Sequence, residues 1–437
     1  MSRPDRFDLV AAIVLFLVAL LWSLPSFALQ PLDTFVASAR QKNPDALEAA
    51  ANFAQQRAQA EAALGRVLPG VSAHGDYTRN QYVTTFQIDP TSPVFTLVPK
   101  YQWDGSATLT VPLIDAAGWS RLASARTGAG SSGHQLDSTR LQVEAQVAQD
   151  YYQLVADLAL AAAARQALDV SRENLRLSEN RVGAGVAPII DVDRARADVE
   201  SQTQQVAAAD LLVALAARAL ESSSDIPPDV SETTPLADDL HAEPPLSSFD
   251  GDVSRLPSVA AAAESTRAAE QQAGAQKLAL LPSLNGTVAE RGTSAPGFVG
   301  HNWTWQWALN LNWSLDLTNH ANIRSQDAAA DAARARELRA RLIARDGIHR
   351  QWETVAASIA RSRSARAGRS AAAHAAEQAR ERYQAGTITQ LELLQAQRDA
   401  FSAEVARIQA DADLVNARAQ LRLAAGTSLF KSQETVQ

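Results

Sequence analysis

Apolar side chains recur along this chain with two different periods, and the switches between them mark out the elements. Between Gln102 and Leu113 the step is two: Trp103, Gly105, Ala107, Leu109, Val111 and Leu113 alternate with Gln102, Asp104, Ser106, Thr108 and Thr110. It returns where Trp303, Trp305, Trp307, Leu309, Leu311, Trp313 and Leu315 alternate with Thr304, Gln306, Ala308, Asn310, Asn312 and Ser314. Both stretches read as strands with one apolar, aromatic face and one largely polar face. Elsewhere the step is seven. Val147, Leu154, Ala161, Leu168, Leu175 and Val182 keep it in one run, Val192, Val199, Val206, Val213 and Leu220 in the next, and Leu394, Phe401, Ile408 and Val415 in a third. A strict seven-residue period is the coiled-coil signal, and the many alanines let helices approach closely. An ordinary bundle of long helices satisfies the same runs. Residues 116–181 and 317–382 contain no proline, and as helix each would be about 100 Å long.

The chain also resembles itself. RVGAGVAPIIDVDRARAD (181–198) has a partner 201 residues later in RYQAGTITQLELLQAQRD (382–399), aligning Gly185 with Gly386 and Asp191 with Glu392. Earlier, residues 43–71 align with 256–284 at an offset of 213, through Pro44/Pro257 and Pro69/Pro282. By PLID (112–115) and WSLD (313–316) the offset has fallen to 201. The halves therefore differ mainly in the loop of one hairpin. Each half reads as an Ala-rich helical run ending at Leu-Pro, two strands, a long helix, a Gly-turn and a return helix. The expected division is a first repeat over 31–225, an acidic, Pro-rich connector with little regular structure over 226–255, a second repeat over 256–428 and a tail over 429–437. Gly128, Gly130 and Gly133 interrupt the first long run. Each costs about 1 kcal/mol relative to Ala in a helix interior, so fraying or a bend is expected there.

Composition narrows the setting. The chain has 437 residues, a net charge of −8 and no cysteine, which argues against a basic nucleic-acid face and excludes disulfides and a thiol for lipid attachment. Residues 1–28 read as a secretory signal peptide: Arg3 and Arg6, an apolar run from Leu9 to Leu21, and a small-residue site for cleavage after Ala28. No later segment reads as a spanning helix, so a membrane crossing after export would use strands. Strands bearing four tryptophans on one face fit an outer-membrane barrel with a lipid-facing apolar side. Four strands cannot close a barrel, so their edges must pair with other copies.

Candidate chemistry is sparse. GAGSSG (128–133) formally matches a dinucleotide fingerprint but lies inside a helical run rather than at a strand-to-helix turn. The seven histidines lack metal-ligand spacing. Nothing in the sequence calls for a cofactor or metal, and the chain is read as not an enzyme.

Taken together, the signal peptide, the tandem halves, LPG/LPS before the strands, PLID/WSLD after them and the paired Gly-turns resemble the TolC-type outer-membrane efflux proteins, over residues 31 to about 428. The resemblance implies long antiparallel helical hairpins forming a trimeric α-barrel, with four strands per chain contributing to a twelve-stranded transmembrane β-barrel. It implies a homotrimer in the outer membrane of a Gram-negative bacterium, contacting outer-membrane lipid and extending into the periplasm. There it would be the exit duct of a tripartite efflux or type I secretion system, working with a periplasmic adaptor and an inner-membrane pump. Arg181, Gly185, Arg382 and Gly386 match the adaptor-contacting tip, and Asp191, Tyr383 and Glu392 match the polar positions of the periplasmic gate. Trp103, Trp303, Trp305, Trp307 and Trp313 would form the membrane aromatic belt. Two departures stand out: Ile388 replaces an arginine that ties the hairpins in the founding member, and Gln395 replaces the second gate acid. Asp191 and Tyr383 could still bond to each other. Three copies of Glu392 around an axis would make a carboxylate ring that favours cations and raises the apparent pKa of the group. The competing readings are a soluble periplasmic coiled-coil scaffold, with the Trp-rich strands buried in a globular head, and the adaptor itself.

Overall fold

The computed structural model describes residues 29–230, 236, 238–314 and 317–429. The expected leader over 1–28 with its cleavage after Ala28, Leu315 and Asp316, and the tail beyond 429 lie outside the described residues. In chain order the elements are α1 (Leu32–Lys42), α2 (Pro44–Gly65), β1 (Gly70–Arg79), β2 (Thr84–Phe86), β3 (Phe95–Val98), β4 (Tyr101–Ile114), α3 (Ala116–Gly183) and α4 (Ile189–Ser224), then α5 (Pro257–Leu278), β5 (Ser283–Thr293), β6 (Trp303–Asn312), α6 (Leu317–Gln384) and α7 (Gln390–Ala424). The fold is mainly α, with four long antiparallel strands and one small extra hairpin. Helices α3 and α6 are each 68 residues, about 100 Å of helix apiece. Among the described residues no helix is long and apolar enough to cross a membrane.

By contacts the chain falls into two units that do not follow its repeats. One comprises residues up to Ala46, Arg140–Gly251 and Gly347 onward; the other comprises Leu47–Thr139 and Asp252–Asp346. Each unit draws on both repeats.

The second unit holds the sheet. Its order is β1-β4-β5-β6, antiparallel throughout, so the hairpin of one repeat is joined to the hairpin of the other through β4 and β5. The connecting loops are 80–100 and 294–302, and the first is longer by the twelve residues that separate the two sequence offsets. The small β2–β3 hairpin lies in this longer loop. A register shift between Pro112 and Ile114 marks a bulge in β4. In sequence, Leu113 lies two residues before Asp115 whereas Leu315 lies one before Asp316; a bulge in one copy explains this slip of strand phase, and it also gives Pro112, which has no N–H to offer, a place inside a central strand. Strand β6 keeps Trp303, Trp305, Trp307, Leu309 and Leu311 exposed along one face, with β1 and β6 each paired on one side only.

The expected interruption at Gly128–Gly133 does not occur: α3 is continuous through it. Ser120, Ser124 and Ser131 donate to the carbonyls of Gln271, Ala268 and Ala261 on α5, and a Cβ at Gly133 would lie 3.3 Å from the Phe53 ring. Small residues here permit close helix contact, and that packing offsets the propensity cost.

The first unit has the larger core. Phe35 and Val36 of α1 pack with Val147, Leu154 and Val155 of α3 and Leu220 of α4, each such side chain contributing about 1.5–3 kcal/mol on full burial. The connector has two short 3-10 turns, Leu246–Ser248 and Val253–Arg255, and is otherwise irregular where described. Within the first unit it is pinned by the buried Arg418 of α7, which pairs with Asp238 and Glu243 and donates to the His241 carbonyl at 2.7 Å. Asp238, Asp239 and His241 have the right atoms for a cation. Those of Asp238 and His241 are, however, engaged by Arg418, so the arrangement reads as a strap.

Candidate functional site

The two Gly-turns belong to the first unit, and their backbones match bond for bond. After α3, the Gly185 N–H donates to Val182 O at 2.9 Å and Val186 N–H to Arg181 O at 3.0 Å. After α6, the Gly386 N–H donates to Tyr383 O at 3.0 Å and Thr387 N–H to Arg382 O at 2.9 Å. Each is a Schellman motif, with glycine in the left-handed region at φ +73° (Gly185) and +76° (Gly386). The repeated glycine is thus required by helix termination, since a side chain resists that φ.

Side chains then link the turns. Arg181 donates Nη1 to the Tyr383 carbonyl at 2.7 Å, and its guanidinium carbon lies 4.8 Å from the Tyr383 ring centroid. Its Nη2 also lies 3.8 Å from where a Cβ on Gly386 would stand. Arg181 therefore ties the two hairpins, although Ile388 has replaced the arginine expected to do so. Tyr383 is buried under it at 2% exposure. Clamped in this way, its hydroxyl has no hydrogen-bond partner among the described residues, and the expected bond to Asp191 is not made. Asp191 instead lies 3.8 Å from Arg194 on its own helix, and its carbonyl accepts from Gln390 Nε2 at 2.6 Å.

Gln390 was not singled out by sequence. Buried at 3% exposure, it also donates to Ser178 Oγ at 3.1 Å. Next along this seam, Asn174 donates to Gln397 at 2.6 Å, and Asp198 accepts from Ser171 at 2.7 Å and from Arg398 at 3.1 Å. The seven-residue pattern placed Leu175 and Val182 on this seam. The structure instead buries Ser171, Asn174 and Ser178 and leaves Leu175 and Val182 half-buried. An α-helix drifts about 20° per heptad from a perfect 3.5 repeat, and by the end of α3 the drift has carried the seam off the apolar positions.

Glu392 has a local task. Its carboxylate accepts from the Thr389 N–H at 2.8 Å and the Thr389 hydroxyl at 3.0 Å, while Thr389 Oγ1 accepts from the Glu392 N–H at 3.3 Å. This capping box starts α7. The Thr389 backbone N–H, and then its hydroxyl, hold the Glu392 carboxyl below its ordinary pKa. Within one chain the direction is opposite to that expected of a carboxylate ring. The signal was legible as Thr-x-x-Glu at 389–392. Arg382, aligned with Arg181, contributes its carbonyl, which accepts from the Thr387 hydroxyl at 3.0 Å.

In the second unit, Trp103, Trp303, Trp305, Trp307 and Trp313 are all between 42% and 73% exposed. Trp103 and Trp303 lie side by side at 6.0 Å near the hairpin end, and the Trp303 ring covers Gly292 so closely that a Cβ there would stand 2.8 Å from it. Trp313, beyond the other end of β6, donates to Leu280 O at 3.1 Å. The five are spread along the strands, from the hairpin end to beyond the last residue of β6, and not at a single level.

The family described as outer membrane efflux protein matches residues 35–224 and 253–427. The toluene efflux pump outer membrane protein TtgC of Pseudomonas putida is 27% identical over 304 residues, 67% of this chain and 61% of TtgC. The chain thus spans about three-fifths of the length of that relative. Among solved structures, the CmeC outer membrane channel of Campylobacter jejuni superposes with a TM-score of 0.77 at 19% identity, over 91% of this chain and 86% of CmeC. The open state of the MtrE outer membrane channel of Neisseria gonorrhoeae gives 0.75 at 22%, over 92% and 90%. At such identities the likeness speaks for the fold.

Proposed function

Because the chain belongs to the outer membrane efflux protein family, we propose that it is an outer-membrane exit duct, a passive conduit for small molecules or proteins delivered by an inner-membrane pump through a periplasmic adaptor. One observation carries this reading: a four-stranded sheet with a half-paired strand at each edge and a row of exposed Trp and Leu on one face. Exposed to water, that face would be an aggregation hazard; exposed to lipid, it is a membrane wall. Three copies supply twelve strands, and pairing between their β1 and β6 edges closes the barrel. The long helices then continue the duct into the periplasm.

In this reading, residues 1–28 are removed on export, and the turns around Gly185 and Gly386 are the tips that meet the adaptor. Asp191 and Glu392 line the aperture, Tyr383 packs behind it under Arg181, and Arg181 and Gln390 hold each chain's two hairpins together. Fractionation of cells tests it. The mature chain is expected in the outer-membrane fraction, lacking residues 1–28, with a detergent-solubilised mass of three chains. Recovery as a soluble periplasmic monomer would overturn it in favour of the scaffold.

A further inference from the structure

The apolar face of the sheet ends, at the hairpin between β1 and β4, in an arginine. By register, Tyr77 stands opposite Trp103 and Arg79 opposite Tyr101, so Arg79 shares the face of the tryptophans. Lys100 is adjacent, its carbonyl accepting from the Asn80 N–H at 2.8 Å. The Arg79 guanidinium carbon and the Lys100 ammonium each lie 5.9 Å from the Tyr101 ring centroid. Tyr77 stacks on that ring at 6.5 Å with planes 10° apart, and both tyrosines are exposed.

Neither cation has a carboxylate partner among the described residues. Arg291, on the polar face of the same sheet, is by contrast paired with Asp104 at 3.2 Å. The protein therefore neutralises the arginine on its polar face and leaves two cations free at the rim of its apolar face. Contact with an aromatic ring occupies none of their N–H donors. At the level where an apolar wall gives way to tyrosines, the solvent is the headgroup layer, whose fixed anions are phosphates. Arginine offers a fork matched to phosphate oxygens, and lysine a mobile point charge beside it.

We propose that Arg79 and Lys100 form a binding site for the phosphate of an anionic glycolipid headgroup in the outer leaflet, with the exposed hydroxyls of Tyr77 and Tyr101 available to its sugar. The proposal rests on the reading that these strands span the outer membrane. It fixes the depth of the barrel in the lipid, with the β1–β4 hairpin at the outer surface.

Native mass spectrometry of the full mature chain in neutral detergent tests the site, using bis-phosphorylated lipid A, the same lipid stripped of phosphate, and inorganic phosphate as probes. The wild type is expected to bind the phosphorylated lipid about ten-fold more tightly than the stripped one, and Arg79→Gln/Lys100→Gln to lose that preference. Arg79→Lys, which keeps the charge, retains most of it; unchanged assembly mass shows that the variants are folded. Equal binding of both lipids, an unchanged preference in the double variant, or displacement by millimolar inorganic phosphate would each overturn the site. Insertion into phosphatidylcholine vesicles separates the two levels. Insertion without a headgroup preference sinks the site and leaves the duct standing, whereas failure to insert into any vesicle sinks both.

Discussion

The turn after α3 and the turn after α6 have one backbone and two sets of side chains. Each closes with the same pair of Schellman hydrogen bonds around a left-handed glycine. The aligned arginines then part company: Arg181 reaches across to Tyr383, while Arg382 contributes its backbone. The aligned acids part as well. Glu392 is spent in a cap with Thr389; at the matching place in the first repeat stands Pro188, which provides no side-chain cap, and Asp191 offers its carbonyl to Gln390. A repeated turn thus fixes the path of the chain and leaves the polar groups free to specialise. Both turns carry an arginine and a row of backbone carbonyls, yet the tie runs one way, from the Arg181 guanidinium to the Tyr383 carbonyl.

The largest effects should come from breaking what the turns share. Gly185→Val and Gly386→Val each force a β-branched residue into the left-handed region, a strain of about 1–3 kcal/mol. Both are expected to keep the three-chain assembly and lose efflux in a drug-susceptibility assay. Gly386→Val should be the worse, because its side chain meets Arg181 whereas Gly185 faces open space. Unchanged susceptibility in both variants would remove the tips from the mechanism.

Next come the aligned arginines. Arg181→Ala removes a charged donor from a carbonyl and uncovers Tyr383, an expected loss of about 1.5–3 kcal/mol of tip stability. For Arg382→Ala, an exposed side chain, the change should stay within about 0.5 kcal/mol. Amide exchange across residues 380–395 reads the difference; equal acceleration would show that the tie is not specific to Arg181. Gln390→Leu is smaller than Arg181→Ala, about 1 kcal/mol, because it leaves the Asp191 carbonyl and Ser178 without a neutral donor.

The smallest effect concerns Glu392. A carboxyl held below its ordinary pKa gives stability that is fully present above the ordinary glutamate value of 4.5 and lost as pH falls through the depressed one. Protection of the amides at residues 389–393, taken relative to their intrinsic exchange rate at each pH, should therefore fall on acidification below that value and stay level on alkalinisation. Glu392→Gln retains a side chain able to complete the box, so it should flatten this pH response. It also isolates the ring: a drop in the cation-to-anion permeability ratio of the assembled pore would place Glu392 at the axis, and an unchanged ratio would leave it as a helix cap alone.

Much of this was legible in the sequence because it depends on local periodicity. Alternation over 102–113 and 303–314, the twelve-residue change of offset and the paired glycines gave the strands, the longer loop and the turns. Gly128–Gly133 was misread because propensity is local, whereas the contacts that favour small residues there come from α2 and α5. The site was less legible. The seam partners Ser171, Asn174 and Ser178 are polar residues at positions reached only after the helix has drifted past its apolar heptad. Gln390 became visible once two turns 201 residues apart were brought together. Only Thr389 and Glu392 carried a local signal that could have been used.

Planar-bilayer recording of the purified assembly asks whether three chains enclose a pore. Wild-type protein of three-chain mass should show stepwise conductance, with brief openings that lengthen in Arg181→Ala as the tie between hairpins is lost. Silence from both proteins, at confirmed mass and insertion, would contradict the duct itself.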